Sequence, residues 1–161
     1  HSDTSGLTVT SGRPSGIGMV ATLLAGYPAA SAVGLAAAYL VAMGHSAGLL
    51  WLLVCGLAVM LLALRNLYGA LVVLLAGTAL AAASWFASPV LAVGLATLLA
   101  WTLLLAGPRP VIELLATRAP TSDAAQLARL TRVPRPVWIL GWLALNTAAL
   151  GLGGSWLLRP G

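Results

Sequence analysis

From residue 18 onward the chain is dominated by apolar runs about as long as a bilayer's hydrocarbon core is thick, and that pattern leaves few folds open. A helix crosses roughly 30 Å of hydrocarbon with about 17 to 25 apolar residues. Five runs bounded by charge, proline or glycine meet that length, at residues 18–43, 47–64, 68–86, 90–106 and 137–158. Hydrocarbon offers no water to backbone N–H and C=O groups, so each run must satisfy them internally, as a helix does. The strict alternation of barrel strands is missing. The expected fold class is all-α, a polytopic membrane bundle of about five transmembrane helices.

Composition agrees that lipid is the solvent. Only 7% of the 161 residues are charged and 60% are hydrophobic, whereas soluble domains carry about a quarter charged residues. The net charge of +5 comes from eight arginines, with no lysine, against Asp3, Glu113 and Asp123. No soluble domain carries these arginines, so they read as topology determinants, the partner expected is the lipid bilayer, and no nucleic acid is expected. Abundant Ala, Leu, Gly and Arg without Lys is what a GC-rich bacterial genome tends to produce, which places the chain in a bacterial plasma membrane as a multi-pass protein. The lone cysteine, Cys55, lies in an apolar run and excludes an internal disulfide or cysteine-based zinc site.

Short loops rich in arginine stay in the cytoplasm. Residues 107–136 hold Arg109, Arg118, Arg129, Arg132 and Arg135. With that loop inside and five spans, Arg13 and Arg65 are inside as well, and only Arg159 is outside. The expected organisation is a cytoplasmic segment at 1–17, four spans over 18–106, a cytoplasmic basic loop with a short helix at 107–136, and a fifth span at 137–158. Trp51, Trp85, Trp101, Trp138, Trp142 and Trp156 lie near span ends, as an aromatic belt requires. Gly26, Ala30, Gly34, Ala36 and Ala37 suit close packing of the first helix on a neighbour.

Polar groups at membrane depth are costly and point to function, which draws attention to Arg65, Asn66, Tyr68, Thr78, Thr97 and Asn146. For Arg65-Asn66-Leu67-Tyr68-Gly69 two readings stand: Asn66 caps the next helix, or its amide is donated to a substrate backbone. Residues 122–134 read as a short helix capped by Ser122 or Asp123 and stopped by Pro134. Either its basic amphipathic face lies on anionic headgroups, or Asp123 reaches back into the bundle as a ligand or proton carrier. His1 and His45 have no partners at metal-ligand spacing and read as surface residues. No His-Glu-x-x-His, nucleophile elbow or phosphate loop is present.

The stretch from His1 to Gly12, followed by Leu-Ala-Gly-Tyr-Pro-Ala-Ala-Ser at 24–31, resembles the region after the zinc helix of site-2-protease-like membrane metallopeptidases. Asn66-Leu67 looks like the Asn that opens that family's second conserved helix, and Ser-Asp-Ala-x-Gln-Leu-Ala-Arg-Leu-Thr at 122–131 is similar to a bacterial branch of it. The resemblance implies an N-terminal β-hairpin, whose edge at Leu7 and Val9 pairs with an unwound peptide substrate. It implies zinc as cofactor, catalytic roles for Asn66 and Tyr68, and peptide hydrolysis near the cytoplasmic face of a membrane-protein or peptide substrate. The family's His-Glu-x-x-His is absent, and the start at His1 rather than Met makes a missing upstream helix the expectation. Where the family has Leu-Asp-Gly, this chain has Leu67-Tyr68-Gly69, so Asp123 is left as the metal-ligand candidate. The competing function is a non-enzymatic membrane module, a partner-binding protein or small transporter subunit; the lack of paired intramembrane charges argues against proton coupling.

Overall fold

The computed structural model describes residues 17–116 and 122–159. The expected hairpin, with Leu7 and Val9, lies outside these residues. The described chain is helical throughout: α1 (Ile17–Ala42), α2 (Ser46–Ala63), α3 (Leu67–Phe86), α4 (Pro89–Ala106), α5 (Pro108–Ala116), α6 (Asp123–Thr131) and α7 (Arg135–Leu157). Five segments are long and apolar enough to cross a bilayer: Val20–Ala42, Ser46–Ala63, Leu67–Phe86, Pro89–Leu115 and Arg135–Leu157. The chain is a multi-pass membrane protein.

Local chemistry explains the breaks. Gly44 takes a left-handed φ of +76° between α1 and α2, a conformation that costs other residues strain. The Ser88 hydroxyl accepts the Leu91 N–H to start α4, and Pro89 occupies the first turn, where no N–H is needed.

Helices α1, α4 and α7 pack around a centre made of small residues. Between lipid-soaked helices there is no hydrophobic driving force, so close approach and dispersion hold them together. Ala92, Ala96, Ala100 and Leu104 recur one turn apart on α4 and are all buried, with Ala37 and Ala38 of α1 against them. A Cβ on Gly34 would lie 2.7 Å from the Leu104 backbone nitrogen, and one on Gly153 would lie 2.8 Å from a Leu104 methyl. The small residues expected on the first helix are thus used at Gly34 and Ala37. Helix α2 packs on α4 and α1, while α3 packs on α2 and buries no residue. The faces that α2 and α3 leave open carry Leu, Val and Cys55, the surface that lipid solvates.

Two elements differ from the sequence expectation. The segment from Gly107 carries a further helix: Gly107 keeps right-handed helical angles (φ −65°, ψ −51°), so the backbone continues from α4 into α5. Pro108 and Pro110 have no N–H for the carbonyls of Leu104 and Ala106, and the hydrogen-bond ladder breaks there without a turn. Trp142, expected in the aromatic belt, is 2% exposed and lies in a second core with Val111, Leu114, Ala124, Leu127 and Ile139. Helix α6 lays Ala124 and Leu127 into this core, while Leu130 is exposed.

Candidate functional site

The polar groups gather at the end of the bundle where α5 and α6 cover the start of α7. Pro28 inside α1 has no N–H, which leaves the Leu24 carbonyl one turn back without its helical donor. The Trp142 indole N–H takes that place, donating to Leu24 O at 3.3 Å. Tyr27 stacks on the same indole, with ring centroids 4.4 Å apart and an interplanar angle of 26°. Its hydroxyl reaches across 96 residues of sequence and donates to Asp123 Oδ2 at 3.1 Å. Asp123 opens α6, where a carboxylate also meets the positive end of the helix dipole.

The other end of α6 is held as well. Thr131 donates its hydroxyl to Leu127 O at 2.7 Å and accepts the Trp138 indole N–H at 3.3 Å. Arg135 donates to Leu114 O at 2.9 Å, satisfying a carbonyl in the last turn of α5. Asp123 is therefore half-buried and fixed by three helices through one tyrosine.

Asn66 stands elsewhere, at the turn between α2 and α3. Its Oδ1 accepts the Gly69 N–H, capping α3. A Cβ on Gly69 would come within 2.7 Å of that oxygen, so glycine at the third helical position is what lets the carboxamide fold over the helix end. Asn66 Nδ2 has no partner among the described residues, and the side chain is exposed. Tyr68 beside it is 82% exposed. The α2–α3 pair flanks the bundle while α6 rests on α7 and α1, so Asn66 and Tyr68 share one turn and Asp123 belongs to a separate part of the structure.

A third polar group had only one member visible in the sequence. Asn146 of α7 is fully buried, as is the Ser31 hydroxyl of α1, and neither side chain has a hydrogen-bond partner among the described residues. Both face Gly107, at the proline break between α4 and α5. Pro108 and Pro110 next to glycine were the available signal, because two closely spaced prolines leave carbonyls one turn back without their helical donors.

Zinc sites are built from three or four nitrogen, sulfur or oxygen donors about 2 Å from the metal. No three His, Cys, Asp or Glu side chains converge among the described residues. Glu113 is exposed and paired with Arg109 at 3.1 Å, and His45 lies between α1 and α2, at the other end of the bundle. Asp123 is one carboxylate facing the protein; the described residues do not make a zinc centre by themselves.

Neither the curated proteins nor the solved structures contain a match to this chain. A family model described as Peptidase M50B-like matches residues 1–153, nearly the full length, and the chain thus belongs to this site-2-protease-like family of membrane metallopeptidases.

Proposed function

We propose that the chain forms the membrane-embedded body of a zinc metallopeptidase that cleaves peptide bonds near the cytoplasmic face of a bacterial plasma membrane. The observation that carries this is the family match across residues 1–153, supported by five helices suited to a bilayer. Asn66 presents substrate with a free amide donor, because its oxygen is engaged by the helix cap and its nitrogen is not. Tyr68, one helical residue further on, offers an exposed ring and hydroxyl at the same turn. Asp123, steadied by Tyr27, is the carboxylate these residues contribute toward the metal, and Leu7 and Val9 are the residues that contact the substrate.

The histidines are His1 and His45, so no His-Glu-x-x-His occurs in the 161 residues. Hydrolysis requires residues supplied from outside them, and the 161 residues alone are inactive. The experiment is proteolysis of a membrane-anchored reporter by the complete reading frame, comparing Asn66→Ala and Asn66→Asp with the unaltered chain. Aspartate keeps a capping oxygen and loses the amide donor. The expected result is strongly reduced cleavage by both variants, with Asn66→Asp melting near the parent and Asn66→Ala losing about 1 kcal/mol of stability. Full cleavage by Asn66→Asp would make the residue a cap and nothing more. No cleavage by the unaltered reading frame would favour the non-enzymatic membrane module.

A further inference from the structure

At the end of the bundle away from α5 and α6, a cavity of about 450 Å³ opens between the last turns of α1 and α7 and the first half of α4. Its walls include Val41, Val93 and Leu157, and its polar lining is Thr97, Trp156 and Arg159. Among the described residues each of these three polar side chains has a donor without a partner. The described helix threonines Thr22, Thr78, Thr102, Thr131 and Thr147 all return their hydroxyls to a carbonyl one turn back. Thr97 makes no such bond among the described residues. The Trp156 ring is held edge-on to Tyr39 at 5.7 Å, yet its indole N–H has no acceptor there. Among the described residues Arg159 has no carboxylate within reach: Glu113 and Asp123 lie on α5 and α6, at the opposite end of α7, a helix roughly 35 Å long.

We propose that this cavity binds the phosphate headgroup of a membrane phospholipid, with Arg159, Thr97 and Trp156 as donors and its acyl chains lying along the apolar walls. A phosphate accepts several donors at once, and its charge-assisted hydrogen bonds to a guanidinium are the strong kind. The guanidinium is the side chain best matched to phosphate geometry. The site's volume falls in the range of small-molecule pockets, and its mixture of one charge, two neutral donors and aliphatic walls matches the boundary between headgroup and chain. Arg65, Arg132 and Arg159 are all exposed, and Arg159 is the one that lines a cavity together with Thr97 and Trp156 among those described.

The 161-residue chain in neutral detergent is titrated with short-chain phosphatidylglycerol, with the matching diacylglycerol and with inorganic phosphate, and retained ligand is counted by native mass spectrometry alongside thermal shift. Saturable binding of the phospholipid is expected, with little binding of diacylglycerol or phosphate. Arg159→Gln and the isosteric Thr97→Val should each weaken phospholipid binding about tenfold, while Arg65→Gln leaves it unchanged. The proposal is overturned if both cavity variants bind as the parent does, or if diacylglycerol binds equally well. Equal affinity for inorganic phosphate also overturns it, because the occupant is then the free anion.

Discussion

At Gly107 a Cβ would lie 1.7 Å from the Ser31 hydroxyl oxygen and 3.0 Å from Asn146 Oδ1. The first distance is an overlap, and Ser31 Cβ, 3.0 Å away, limits how far the serine can turn aside. Gly107→Ala should therefore cost about 1–3 kcal/mol, the usual range for overpacking, seen as a lower melting temperature in detergent. Asn146 predicts the opposite. Its carboxamide is fully buried with neither polar atom bonded among the described residues, so replacing it with leucine, of similar shape, removes a desolvated group without breaking a bond seen there. Asn146→Leu should melt at or above the parent temperature. A fall as large as that of Gly107→Ala would mean that the amide has a partner, such as a bound water bridging it to Ser31.

Among the elements, α6 is the one whose position rests on individual polar contacts. A nine-residue helix is too short to be stable alone and needs its packed face and end contacts. Tyr27→Phe keeps the stack on Trp142 and removes only the hydroxyl that holds Asp123. The expected effect is faster hydrogen exchange across Asp123–Thr131, with about 1 kcal/mol lost and no change in exchange at the α2–α3 turn. Unchanged exchange in α6 would show that Ala124 and Leu127 hold the helix without the tyrosine. The α4–α5 junction shows a related dependence, since proline chemistry there interrupts hydrogen bonding while packing on α7 keeps the axis continuing.

For the molecule as a whole, the small-residue contacts of α1, α4 and α7 define a rigid centre to which α2 and α3 are added on one side. Which way this body faces in the membrane follows from charge. The arginines of α5, α6 and the α2–α3 turn belong to one end and Arg159 to the other, and an imbalance of this kind predicts that the first end is cytoplasmic. The exposed Cys55 must first be removed as Cys55→Ala. In that background, an impermeant thiol reagent applied to intact cells should label His45→Cys and leave Leu130→Cys unlabelled. Labelling at 130 without labelling at 45 would reverse the orientation.

The five long helices, their limits to within a few residues and their membrane setting were readable from apolar run length, because hydrocarbon forces each run to be a helix wherever it packs; the short α5 was not. Asn66 was readable as a cap for a similar reason, since a cap bonds within its own turn and Gly69 three residues later gives it room. The Tyr27–Asp123 bond was not, because it joins residues 96 apart whose meeting depends on how α1, α6 and α7 cross. Trp142 shows the same limit: its place near the start of α7 suits an interfacial belt, and only the carbonyl freed by Pro28 and the cover provided by α6 draw it inward. Run length and composition act along the chain and can be read there. The crossing of helices is decided by which small residues allow close approach and which polar groups lack partners, and those are properties of pairs of surfaces that exist only once the bundle has formed.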